Sequence, residues 1–192
     1  MKNKLRREIE KTFKEWLLKI ENRKLRKSVI DTYEKAIKKS KLKGIEELAR
    51  MPFSILTDCK EISFIDHILA VTCHLAKAQE LQFKNLPYKI DFDRLISGAL
   101  LHDVGKILEI EPDGKGGFRK SRNGKLLRHP MSGLVIASEC GIPDEVLNII
   151  ACHAKEGEGA PKVVETIFIH QADFATFDPL VMFEKGTLIG EK

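Results

Sequence analysis

Histidine and aspartate stand side by side at His102-Asp103, at the end of the apolar run Ser97-Gly98-Ala99-Leu100-Leu101 and just ahead of Val104-Gly105-Lys106. An imidazole beside a carboxylate is a ready pair of metal ligands. At a helix end the two side chains can converge on one centre, whereas in mid-helix a turn of about 100° per residue splays them. Further donors follow the same logic. His67, His129, His153 and Asp173 lie 20 to 35 residues from their neighbours in this series, each at or near the end of an apolar-periodic segment. A helical bundle builds one site from several helices with donors at such intervals. Taken singly, each has a plainer role: a satisfied core imidazole, or a structural ion pair for Asp173.

The segments that must carry these donors read as helices. Phe64, Ile65, Ile68, Leu69, Thr72, Leu75 and Ala76 form one stripe, with His67 and His74 a heptad apart beside it. Asp91 or Asp93 can cap the helix that delivers His102 and Asp103. Gly105 is suited to ending that helix in a left-handed conformation. Pro130 belongs to a helix's first turn and so puts His129 at a helix start, with Gly141 closing that helix. Pro143, Asp144 and Glu145 open the next, whose stripe Val146, Ile149, Ile150, His153 turns His153 inward. The last long helix is expected from about Pro161 to Phe174, with Asp173 near its end.

Between Lys106 and His129 the pattern changes. Asp113-Gly114-Lys115-Gly116-Gly117 reads as a loop, and Phe118–Lys120 and Lys125–Leu127 read as short strands around an Arg122-Asn123-Gly124 turn. This is the one stretch expected to be β. It gathers Lys115, Arg119, Lys120, Arg122, Lys125 and Arg128, which either draw a phosphorylated ligand or simply solvate the hairpin.

Composition frames the rest. With 192 residues and 43% hydrophobic content, the chain can bury one sizeable core. No apolar run approaches the roughly 18 residues of a membrane span. The N-terminus lacks a signal peptide's apolar block, and the scattered Cys59, Cys73, Cys140 and Cys152 form no C-x-x-C pair, so a reduced, cytoplasmic setting is expected. Charge is lopsided: residues 1–50 hold 17 Lys and Arg against 8 Asp and Glu, within a chain of net charge +5. The stripes Leu5, Ile9, Phe13, Trp16, Leu17, Ile20 and Leu25, Val29, Ile30, Tyr33, Ile37 make this quarter amphipathic and helical. Its basic face suits solvent, nucleic acid, an anionic membrane surface or a second copy in a homodimer. A break at Lys41–Gly44 and at Pro52 sets the expected division: a basic helical extension over 1–50, a main domain over 51–180 and a tail over 181–192.

The ordered set His67, His102-Asp103, His129, His153, Asp173, with the local string His102-Asp103-Val104-Gly105-Lys106, resembles the HD superfamily of metal-dependent phosphohydrolases over roughly residues 50 to 180. The resemblance implies an all-α HD-domain bundle, here with a short β-hairpin insertion. It also implies a binuclear centre, with His67, His102, Asp103 and Asp173 on one ion and His129, His153 and a bridging Asp103 on the other. Imidazole and carboxylate donors suit Fe, Mn, Zn, Ni or Co rather than a magnesium-only or calcium site. Asp103 and Lys106 would act in catalysis. Lys106, Arg128, Lys120 and Arg122 would contact a phosphorylated small molecule such as a nucleotide. His74 and His170 match no ligand position. Two other readings stay open: an HD-like di-iron oxygenase, and a non-catalytic sensor or nucleic-acid-binding module that the metal merely stiffens.

Overall fold

The computed structural model describes residues 2–56, 61–78 and 87–190; Cys59 and most of the expected break between Leu81 and Tyr88 lie outside them. Among the described residues the protein is all-α apart from one small two-stranded sheet. Helices α1 (Lys2–Thr12), α2 (Lys14–Leu17) and α3 (Arg23–Lys39) form the basic quarter, and α4 (Ile45–Leu48) is a single turn beyond it. The side chain of Asn22 caps α3 by accepting from Lys24 N and Leu25 N. The apolar stripes of α1 to α3 do not stand apart. Ile9, Phe13, Tyr33 and Ile37 share one core with Leu100, Val104, Ile107, Ile136 and Val146 from later helices. Phe13 stacks on Tyr33 at 4.7 Å, and the Tyr33 hydroxyl donates to the carbonyl of Leu100, two residues before His102.

Helices α5 (Phe64–Ala78), α6 (Phe92–Leu101), α7 (Lys106–Glu109), α9 (His129–Ser138), α10 (Asp144–Cys152) and α11 (Val164–Glu184) make the main bundle, joined by α8 (Arg122–Leu126) within the segment that separates α7 from α9. Asp91 caps α6 through Arg94 N, whereas Asp93 accepts from Glu21 N and Asn22 N and so ties α6 to the basic quarter. A second apolar cluster of Val71, Leu75, Leu95, Ala99, Ile149 and Ile169 binds α5, α6, α10 and α11 together. Gly141, at φ 72°, turns the chain after α9 as its position suggests.

Three local expectations are overturned. The hairpin pairs β1 (Ile110–Pro112) with β2 (Phe118–Lys120) in antiparallel register, and its turn is Asp113–Gly117. The Arg122-Asn123-Gly124 segment is instead the start of α8, because the Ser121 hydroxyl accepts from Gly124 N and caps a helix there. Local Asn-Gly preference lost to that cap, and Lys125–Leu127 is not a strand. Gly105 has an ordinary right-handed φ of −66°. Glycine is required there by crowding, since a Cβ would sit 2.0 Å from the carbonyl oxygen of His129 and 2.6 Å from Gly133 N. The last helix runs on to Glu184 through Pro179, so Asp173 lies in its middle rather than near its end.

Gly105→Ala is expected to cost about 1–3 kcal/mol through backbone displacement, measured by urea denaturation. Tyr33→Phe should cost about 1 kcal/mol in the same assay, the value of one buried hydrogen bond.

Candidate metal centre

Each donor is delivered by a helix whose local sequence fixes its place. Ser63 and Asp66 cap α5 reciprocally: Ser63 N and Oγ donate to Asp66 Oδ2, and Asp66 N donates to Ser63 Oγ, setting the first turn that holds His67. His102 closes α6 and Asp103 opens the turn that follows. His129 is the first residue of α9 and His153 the residue that closes α10. Asp173 reaches in from the middle of α11. His67, His102, Asp103, His129 and His153 are all buried.

The structure brings these six residues together. Asp103 lies at the centre, and its two oxygens face different partners. Oδ2 is 3.2 Å from His67 Nε2 and 3.4 Å from His102 Nε2, while His67 Nε2 is also 3.1 Å from Asp173 Oδ1. Oδ1 is 3.1 Å from His129 Nε2 and 3.6 Å from His153 Nε2. Within each half the imidazoles approach closely, with Nε2 atoms 3.4 Å apart for His67 and His102 and 3.3 Å apart for His129 and His153. Bonds of about 2.0–2.2 Å at tetrahedral or octahedral angles set adjacent donor atoms about 2.8–3.6 Å apart. The two halves have that spacing.

Proton placement makes the fit chemical as well as geometric. His102 Nδ1 lies 2.7 Å from the carbonyl of Ala99 and His153 Nδ1 lies 3.0 Å from that of Ile150, so each must donate. His129 Nδ1 is 3.2 Å from the Glu109 carboxylate and donates likewise. The Thr176 hydroxyl donates to the Asp173 carbonyl and is therefore left to accept from His67 Nδ1 at 3.3 Å. All four rings are thus held with the proton on Nδ1 and a lone pair on Nε2. Four lone pairs and two carboxylates then face one another, with the Lys106 ammonium beside Asp103 Oδ2 set against them. So many buried acceptors call for more positive charge than Lys106 supplies.

The charges respond accordingly. Burial pushes the Asp103 carboxyl up, but Lys106, His102 and His129 outweigh it and hold it well below the usual range. Burial likewise raises Asp173, and the adjacent His67, with His102 and Lys106, more than reverses that. Burial, with Lys106 and His153, lowers His129 further than Asp103 and Glu109 raise it, which favours the neutral, ligating form. Burial also lowers His67, but the Asp103 and Asp173 carboxylates close to its Nε2 win and raise it. A base surrounded by carboxylates gains affinity for positive charge.

A cavity of about 500 Å³ opens beside the cluster, lined by Asp173, His129 and Glu109. Cations from three places reach it: Lys106, Lys120 with Arg128, and Lys155. Phe53, Phe174 and Phe177 give it an aromatic wall, with Phe53 and Phe177 edge to face at 6.0 Å. Lys106 Nζ lies 2.5 Å from Asp103 Oδ2 and 5.7 Å from the Phe53 ring centre. Arg122 is not brought to this cavity; it lines a separate depression with Lys39 and Lys41. His74 is exposed, its Nδ1 against the Ala70 carbonyl. His170 Nδ1 donates to the His153 carbonyl at 2.6 Å and so steadies the turn after α10.

Sequence reasoning passed over Glu109 and Thr176. Glu109 is buried and accepts from His129 N at 3.0 Å and from Arg128 Nη1 at 2.6 Å. Its only signal is a carboxylate set between Leu108 and Ile110. Thr176 has no signal, because it acts on His67 from a different helix.

The HD domain family model matches residues 64–175. Ribonuclease Y of Pseudothermotoga lettingae is 30% identical over 111 residues, which is 58% of this chain and 18% of that protein. The chain therefore spans less than a fifth of that relative's length. No solved structure matches. Among the described residues no helix is long and apolar enough to cross a membrane. With the matched segment running from the start of α5 through Asp173 and taking in all six clustered donors, the chain belongs to the HD domain family.

Proposed function

We propose that this protein is a metal-dependent phosphohydrolase acting on a nucleotide or related phosphoester at a binuclear His/Asp centre. The observation that carries this is the buried, acceptor-rich pair of half-sites sharing Asp103, set at the edge of a cavity with cationic and aromatic walls. In this reading His67, His102, Asp103 and Asp173 hold one divalent transition ion, and His129, His153 and Asp103 hold the other. Such ions supply a water of lowered pKa and a clamp for phosphoryl oxygens when bound. The remaining steps belong to the chain. Asp103 keeps both half-sites in register. Lys106, beside the shared carboxylate, places positive charge where a phosphoryl oxygen gains charge in the transition state. Arg128 and Lys120 receive a further anionic group of the substrate, and the phenylalanine wall takes a flat base.

The name of the ribonuclease relative supports phosphodiesters in RNA as part of the substrate class to be tested. The cationic wall favours phosphoryl chemistry over the di-iron oxygenase reading, and the complete donor set argues against a purely structural metal. The basic face of α1 to α3 remains a proposed surface for nucleic acid or for a second copy of the chain.

Metal analysis of the purified protein should find about two ions per chain, and Asp103→Ala should lose both the ions and phosphate release from nucleotides or short RNA in the presence of Mn²⁺ or Fe²⁺. Full activity in that variant refutes the mechanism. Lys106→Ala should keep its metal and lose about 10²–10³-fold in turnover, the scale for removing one transition-state contact; metal loss in parallel with turnover would make Lys106 structural. Chelation should lower the thermal midpoint, since a ligand bound only to the folded state stabilises it.

A further inference from the structure

The two half-sites are supported unequally. His67 leans on a hydroxyl, and His102 and His153 lean on backbone carbonyls, all of them neutral acceptors. His129 alone leans on an anion, Glu109. The half that contains His129 is also the poorer one, with three donor residues against four. A carboxylate draws the Nδ1 proton more strongly than a carbonyl does, which makes the opposite Nε2 a better electron donor and fixes the ring plane.

We infer that Glu109 is the positioning residue of the His129–His153–Asp103 half-site, and that this half-site holds its ion only with the Glu109 carboxylate in place. The inference rests on the binuclear reading above and adds an asymmetry to it. Glu109 is built for the task. Oε2 accepts from both the Nδ1 and the backbone N of His129, so ring and main chain are gripped together. Oε1 takes Arg128 Nη1 at 2.6 Å, with Lys120 Nζ at 3.6 Å. Its own backbone is pinned by Ser121 N, which donates to Glu109 O at 2.8 Å. Gly124 packs so closely that a Cβ would lie 2.5 Å from that same oxygen. The hairpin and α8 thus lock Glu109 against the metal ligand. Arg128 and Lys120 also line the cavity, so the cations offered to a substrate are the ones that hold the support of the second half-site.

The test is a Mn²⁺ titration of the chelator-treated full-length chain, followed by calorimetry and by electron paramagnetic resonance, which distinguishes an exchange-coupled pair from isolated ions. Wild type should take two ions and show the coupled signal. Glu109→Gln keeps the shape and an oxygen that accepts from His129, but loses the charge. It should bind one ion with unchanged affinity and the other at least 10-fold more weakly, and Glu109→Ala should reach 10–100-fold. In both, the coupled signal at two equivalents should give way to that of isolated Mn²⁺. Thr176→Val should show the opposite preference, weakening the other ion. Equal weakening of both ions in Glu109→Gln would make Glu109 a general structural residue and overturn the inference, as would two ions bound with wild-type affinity. A wild-type protein that takes up a single ion would instead overturn the binuclear reading, and that result appears before any variant is made.

Discussion

A carboxylate buried among four imidazole lone pairs, with only the Lys106 ammonium set beside it, is the constraint on which the rest of this structure turns. Asp103 is kept ionised by Lys106 and the surrounding imidazoles against the opposing effect of burial. Its neighbours are kept in the ligating tautomer by carbonyls, a hydroxyl and a carboxylate drawn from four separate segments. Each of those contacts removes a proton that would otherwise relieve the crowding of acceptors. The arrangement is costly for a chain alone, and it becomes favourable once cations enter.

Helix ends are how the fold meets that constraint. Three of the four clustered histidines sit at the first or closing position of a helix, where the backbone changes direction and a side chain can leave the apolar stripe. The two apolar clusters then clamp α5, α6, α10 and α11 on one side and the basic quarter on the other. The bond from Tyr33 to the Leu100 carbonyl ties the second of these to the turn that carries Asp103. Helices rich in surface lysine thereby contribute their inner faces to the stability of the turn that carries Asp103.

Much of this was legible in the chain because it depends on neighbours in sequence. The cap at Asp91, the proline after His129, the glycine closing α9 and the inward stripe ending in His153 are all local patterns, and together they located the donors. What was not legible depends on distant contacts. The Asn123-Gly124 pair favours a hairpin turn in isolation, and only Ser121 and the packing of Gly124 on Glu109 make it helical. Glu109 reads as a stray acid between apolar residues until His129 is brought beside it. Gly105 reads as a helix terminator, whereas its real restriction is a neighbouring main chain from α9.

That last contact has a wider consequence. Because the turn after His102 and the turn into α9 touch backbone to backbone at Gly105, with no room for even a methyl group, van der Waals contact sets how closely they approach. Residues 110 to 127, which leave the first turn and return to the second, are relieved of any duty to hold the two apart. Within that excursion the turn Asp113–Gly117 can lengthen, shorten or change composition while Ser121 and Gly124 keep their hold on Glu109, which makes this turn the natural place for relatives of this protein to diverge in what they recognise.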